Sequence, residues 1–142
     1  MSAQNKAVMR RIYEEFWNQG NFDAMDEIVS PDYVLHVPTP PGAPSGRKGL
    51  QWVIQMYRAA FPDIHVQIED QLAEGDKVMT RITIQGTHQG QFMQIPPTNK
   101  EVLFTAIVVT RFKDGRNVEG WGELDRFGLM QQLGVIPTPQ TG

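Results

Sequence analysis

The sequence contains no cysteine, which excludes disulfides, thiolate metal sites and cysteine nucleophiles. It has no apolar run near the roughly 20 residues that a membrane helix needs. Its N-terminal MSAQNKAVMRR lacks the apolar stretch and small-residue cleavage site of a secretory signal. There is no cationic block either. The 13 Lys+Arg stand against 16 Asp+Glu, a net charge of -3 that offers no footprint for nucleic acid or an anionic membrane. G-x-G-x-x-G, Walker-A, G-x-S-x-G and H-E-x-x-H motifs are all missing. The three histidines, His36, His65 and His88, stand far apart without metal-ligand spacing, so neither a metal nor another cofactor is expected. Proton transfer and simple binding are the chemistry that remains, in a chain expected to be cytoplasmic. At 142 residues it is expected to form one domain whose core needs no staples.

What is present is periodic. Val8, Ile12 and Phe16, with Met9, Tyr13 and Trp17 beside them, form one apolar helical face over residues 4–19. Gly20 reads as its stop, Asn21 as an N-cap and Phe22–Val29 as a short second helix ended by Ser30-Pro31. Tyr33–Val37 reads as a short strand running into the Pro/Gly loop PTPPGAPSG. Leu50, Val53, Ile54, Tyr57 and Phe61 mark a third helix, closed by Pro62. The period then falls to 2, predicting antiparallel strands at about 64–73, 77–88, 101–113 and 116–125, with Asp114-Gly115 as a hairpin turn. Phe127–Leu133 reads as a last short helical turn before Gly134 and a Pro-containing tail. The expected fold is α+β: N-terminal helices packed on a strongly curved, mainly antiparallel sheet, a conical half-barrel with an internal cavity. Strand 101–113 is apolar on both parities, Val102, Phe104, Ala106 and Val108 against Leu103, Ile107 and Val109. The helices cover one face, and a homodimer through the sheet is expected to cover the other.

Two residues stand out as candidates for acid–base work. His88 shares parity with Val78, Ile82 and Ile84 and should point inward near a strand end, either toward a pocket or as a core histidine paired with a backbone carbonyl. Asp125 ends the last strand. It is either a carboxylate facing an apolar hollow, its pKa raised by burial, or the N-cap of the helix that follows. Parity puts Trp121, Glu123 and Asp125 on one face, although Gly120 and Gly122 invite a bulge. His36 could reach the same hollow, Trp17, Tyr57 and Trp121 could line it, and His65 reads as solvent-facing.

The segments NKAVMRRIYEEFWNQGNFDAMDEIVSPDYVLHVP, FPDIHVQIEDQLAEGDKVMTRITIQGTHQG, IPPTNKEV and RFKDGRNVEGWGELDRFGLMQQLG resemble the SnoaL-like polyketide cyclase family of the nuclear transport factor 2-like superfamily. The resemblance spans about residues 5–134 and leaves 135–142 as a tail. It implies a conical α+β fold and cofactor-free intramolecular aldol ring closure of a small, largely apolar or aromatic carbonyl substrate. The carboxylate of the W-x-x-x-D motif, Trp121 to Asp125 here, is then the acid/base. The histidine of G-T-H-x-G, His88, and that of D-Y-x-x-H-x-P, His36, should then both line the cavity, His88 hydrogen-bonding the developing enolate or the ring-closing oxygen while His36 and Trp121 shape and orient. Gln94 and Asn99 stand where the family often has glycine, a difference at the pocket rim. The superfamily's range leaves two further readings open. One is a ketosteroid-type isomerase, which would need a tyrosine such as Tyr13, Tyr33 or Tyr57 deep in the hollow. The other is a non-catalytic small-molecule-binding or dimerisation domain. Epoxide hydrolysis would need an Arg between two carboxylates, and nothing in the sequence pairs Arg81 or Arg111 that way.

Overall fold

The N-terminal apolar rows wind into α1 (Ser2–Arg11), which passes unbroken into a π-helical segment (Ile12–Asn18) in a computed structural model that describes residues 2–137. Met9, Ile12, Tyr13 and Phe16 are carried into the core as their spacing predicts. The helix differs from expectation in starting at Ser2 and in widening halfway. Its end is fixed by tertiary contacts. The Asn18 amide donates to the Val66 carbonyl at 3.1 Å and accepts from the Val66 N–H at 2.7 Å, and Arg58 donates to the Trp17 carbonyl at 2.5 Å. Asn18 thereby pairs backbone groups on an outer strand that would otherwise be open to another chain.

The expected helix at Phe22–Val29 is reduced to a single turn, α2 (Met25–Ile28). Asn21 does not cap it; its side-chain oxygen accepts from the Asp23 N–H at 3.0 Å, a local turn one step earlier. Val29 is already extended and fully buried, so β1 (Val29–His36) starts well before the expected strand. α3 (Arg47–Ala60) buries Leu50, Val53, Ile54, Tyr57 and Ala60, and Phe61-Pro62 ends it.

Four strands then form a meander: β2 (His65–Glu74), β3 (Lys77–Thr87), β4 (Glu101–Lys113) and β5 (Arg116–Leu124). The order across the sheet is β1-β5-β4-β3-β2, with every pair antiparallel except β1 against β5. The turn between β4 and β5 has both Asp114 and Gly115 at positive φ, 53° and 78°, as a two-residue hairpin requires. α4 (Arg126–Leu133) follows and is closed by Gly134 in the left-handed region, φ 81°. The result is the expected α+β arrangement, helices on a curved five-stranded sheet. Residues 138–142 of the expected tail lie outside the described residues, as does Met1. Among the described residues no helix is long and apolar enough to cross a membrane.

The pleat of β4 sorts the two faces. Val102, Phe104, Ala106, Thr110 and Phe112 are buried against the helices, while Leu103, Thr105 and Ile107 are exposed on the other side. Their partners on β5 follow: Gly120 and Leu124 lie opposite Thr110 and Ala106, whereas Glu119, Trp121 and Glu123 lie opposite Arg111, Val109 and Ile107. Between Arg111 and Phe112 the register slips, so Phe112 pairs with Asn117 and Val118 becomes the extra residue. That bulge reverses the alternation at the start of β5 and brings Asn117 onto the buried row.

Candidate active site

A cavity of about 340 Å³ opens between the helices and the concave face of the sheet. Volume and character match sites for small, largely apolar ligands. Its apolar wall comes from Met9 and Ile12 of the first helix, Leu50 and Val53 of α3, and Ile82 and Ile84 of β3. The polar groups are few: Tyr13, Tyr33, Tyr57, Asn117, Glu123 and Arg126. Trp17 and Tyr57 both line it, in contact with each other at 5.6 Å between ring centroids, and Phe92 holds Tyr57 from behind at 5.3 Å.

Burial raises the pKa of all three tyrosines, so each is a neutral hydroxyl at physiological pH. At Tyr57 the Arg126 guanidinium acts in the opposite direction. A hydroxyl and a cation therefore meet at one place in the wall. Gly120 makes room for Tyr33: a Cβ there would collide with the Tyr33 hydroxyl. Asn117 and Arg126 are site residues that the sequence pattern does not single out, whereas Tyr13 and Tyr33 are named only for the isomerase reading. Tyr13 is an ordinary member of the helix's apolar face, and Asn117 reaches the interior only through the β5 bulge.

Asp125 does not line the cavity. It is the N-cap of α4, its Oδ1 accepting from the Gly128 N–H at 2.9 Å, and it is exposed at the rim. Its neighbours on both sides, Leu124 and Arg126, do border the cavity. The shared parity of Trp121, Glu123 and Asp125 holds up to the strand's end, but the row they share at Trp121 and Glu123 is the outer one. Trp121 borders the cavity at its rim while its ring stacks on His36 at 5.1 Å and lies under the Lys77 ammonium at 5.6 Å.

His36, expected to reach the hollow, is on the outer side with Trp121. Its Nε2 lies 2.7 Å from Glu119 Oε2, and Arg111 Nε donates to Oε1 of the same carboxylate at 2.9 Å. Arg111, and then His36, hold that carboxyl below its usual range.

His88 points inward as its parity predicts and is fully buried, but just beyond the cavity, behind Phe61 and beside the loop that follows β3. Its well-formed hydrogen bonds are to Thr98. Nδ1 accepts from the Thr98 N–H at 3.2 Å and lies 3.0 Å from the Thr98 hydroxyl. Nδ1 is thus the acceptor, and in the neutral ring the proton sits on Nε2, which makes no hydrogen bond of good geometry among the described residues, the Gly90 backbone being the group that acts on it. Burial lowers the His88 pKa, against a smaller opposing effect of Gly90, so the ring is uncharged at neutral pH. The strand end beside it is tied down by Asp63, which accepts from the Thr87 N–H and hydroxyl, both at 2.7 Å. These bonds hold the Asp63 carboxyl below its usual range. Gly90 completes the motif, since a Cβ there would collide with the Ala59 carbonyl oxygen. The structure thus brings Trp17, Tyr57 and Trp121 to the cavity and leaves His36, His88 and Asp125 outside its lining. Among the described residues no group of three or more His, Asp or Glu is placed to hold a metal ion.

Comparison with known proteins agrees with this architecture. Residues 7–133 match the model of the SnoaL-like polyketide cyclase family. The chain is 27% identical over 124 residues to nogalonic acid methyl ester cyclase of Streptomyces nogalater, covering 83% of this chain and 89% of that one. It superimposes on IdmH of Streptomyces antibioticus, a proposed polyketide cyclase, with a TM-score of 0.80 and 36% identity, covering 92% of this chain and 99% of the other. TsrD of Streptomyces laurentii aligns with a TM-score of 0.86 at 25% identity, over 96% of this chain and 98% of that one. With a family match over most of its length and the curved α+β fold to go with it, the chain belongs to the SnoaL-like polyketide cyclase family.

Proposed function

We propose that the protein is a cofactor-independent enzyme that closes a ring in a small, largely apolar carbonyl substrate by intramolecular aldol chemistry. The observation that carries this reading is the head of α4. Asp125 and Arg126 are consecutive, one a carboxylate at the cavity rim and the other a guanidinium inside it beside the Tyr57 hydroxyl. In this reading Asp125 takes a proton from the carbon alpha to a carbonyl. Arg126 and Tyr57 hydrogen-bond the enolate oxygen that develops, the role sequence reasoning gives to His88. The enolate carbon attacks a second carbonyl of the same molecule, and the new alkoxide takes up the proton. Trp17 and the apolar wall hold the chain folded for closure.

The relative's substrate provides the test. Purified protein is incubated with nogalonic acid methyl ester without added metal or cofactor, and the product is followed by liquid chromatography and mass spectrometry. A cyclised product of unchanged mass, formed faster than in buffer, is expected. Ligand binding without accelerated closure of this ester or of simpler keto esters would favour a binding module instead.

A second reading draws on a different observation, the three neutral tyrosines in the wall. A ketosteroid-type isomerase uses one carboxylate to move a proton between two carbons while a hydroxyl donates to the enolate. Conversion of a β,γ-unsaturated ketone to its conjugated isomer would distinguish it.

We also propose that the protein works as a homodimer through the outer face of the sheet. Leu103 and Ile107 are 54% and 47% exposed there, side chains that a lone soluble domain gains nothing by presenting together. Light scattering after gel filtration should give twice the 16.1 kDa chain mass. Ile107→Lys should shift it to monomer, and a monomeric parent protein would refute the interface.

A further inference from the structure

We propose that Met93 is a specificity residue that sets how long an apolar ligand the cavity accepts. This rests on the cavity being the ligand site, but not on turnover. Met93 lines the cavity from the loop after β3, half-buried while Gln91 and Gln94 beside it are exposed. It stands in a two-residue turn. The Phe92 N–H donates to the Ile95 carbonyl at 3.0 Å, and the Ile95 N–H donates to the Phe92 carbonyl at 2.8 Å. Of the two residues between them only Met93 has positive φ, 54°, a place that glycine takes without strain. The other non-glycine residues at positive φ among the described residues are Asn99 and Asp114, short polar types that tolerate it. Methionine does not share that tolerance.

The turn favours glycine and holds methionine, so what the residue supplies is its side chain. Strained backbone persists where the surroundings over-determine it, and such positions cluster at ligand sites. Here the surroundings are explicit. Phe92 is fully buried, its ring centroid 5.3 Å from that of Tyr57 and 5.7 Å from that of Phe61. The Gln91 amide donates to the Met93 carbonyl at 2.8 Å, and the Asn99 N–H closes the base of the loop on the His88 carbonyl at 2.8 Å. The loop is therefore a fixed wall. The unbranched thioether that it carries fills cavity space that glycine would leave to the ligand. The ligand end that meets it is apolar, an alkyl arm or ring edge, because a thioether offers only a weak acceptor.

The test titrates the intact protein by calorimetry with alkyl 1-naphthyl ketones, from methyl to hexyl, and reads binding alone. In the parent protein affinity should rise about fourfold per added methylene and then stop rising once the chain reaches Met93. Met93→Ala and Met93→Gly should both move that limit about two to three methylenes further, the length of the side chain removed. Met93→Leu, of similar volume, should leave it in place. Met93→Gly should melt higher than Met93→Ala, because glycine alone relieves the positive φ. In parent protein labelled at the methionine methyls, the Met93 resonance should shift progressively as the chain lengthens toward the limit, a readout independent of how the variants fold. No limit in the parent, a limit unmoved by either truncation, an alanine variant as stable as the glycine one, or a Met93 resonance indifferent to chain length would each overturn the proposal. Failure of every ketone to bind would overturn the cavity as the ligand site, and this proposal with it.

Discussion

Asp125→Asn is expected to lower kcat for ring closure by at least about 10²-fold, the contribution of a positioned general base, while leaving KM and the melting temperature nearly unchanged. The substitution separates two jobs that one carboxylate performs. As N-cap of α4, Asp125 accepts from the Gly128 N–H, and asparagine caps about as well as aspartate. As base it must take a proton, which an amide cannot do. Asp125→Ala removes both functions and should cost about 1 kcal/mol of stability in addition to the rate. Steady-state kinetics and thermal melts on the three proteins decide the matter. If the Asn variant turns over like the parent and only the Ala variant melts early, Asp125 is a cap and the base must be sought elsewhere, Glu123 at the same rim being next.

The largest effect on stability is expected from Phe61→Ala, a loss of about 3–5 kcal/mol. Phe61 is 1% exposed and follows α3 directly, with its ring 5.5 Å from His88 and 5.7 Å from Phe92. Truncation leaves a hole that the surroundings cannot easily fill. The Asp63–Thr87 bonds fix the backbone on one side of it, and Gly90 lies against the Ala59 and Ala60 backbone on the other. It also uncovers His88, whose Nδ1 anchors Thr98 and with it the loop that carries Met93 to the cavity. Against a typical domain stability of about 5–15 kcal/mol, such a loss approaches unfolding. Urea denaturation with an unchanged slope would measure it, and a cost below about 1 kcal/mol would mean that this wall is loosely packed.

The difference between these two residues reflects what a sequence can express. Phe61 was legible as the last apolar position of a helix stopped by Pro62, because a 3.6-residue period and a proline are local facts. The alternation of Val78, Ile82 and Ile84, the Asp114-Gly115 turn and the two-faced pattern of β4 were legible for the same reason. Even His88 was assigned the correct face. What parity could not supply was distance along that face, and it reaches the core one wall behind the cavity.

Other features were settled by contacts between parts of the chain remote in sequence. The pairing of β1 with β5, parallel and not antiparallel, puts His36 beside Trp121 and Glu119 on the outer side. The second helix shrinks to one turn because Val29 is more favourably buried in a strand than left at a helix end. At Asp125 both readings, cap and carboxylate beside a hollow, were visible in the residues, and the fold realises the cap at a position adjoining the cavity. Local periodicity and turn chemistry thus determined the elements, their order and the curved α+β class, since each depends on a few neighbouring residues. The inward turn of Asn117, the joining of Arg126 to Tyr57 and the outward turn of His36 were decided only by tertiary structure. One unpaired residue in β5 reverses the alternation, and strand register depends on the partner strand as much as on the strand itself.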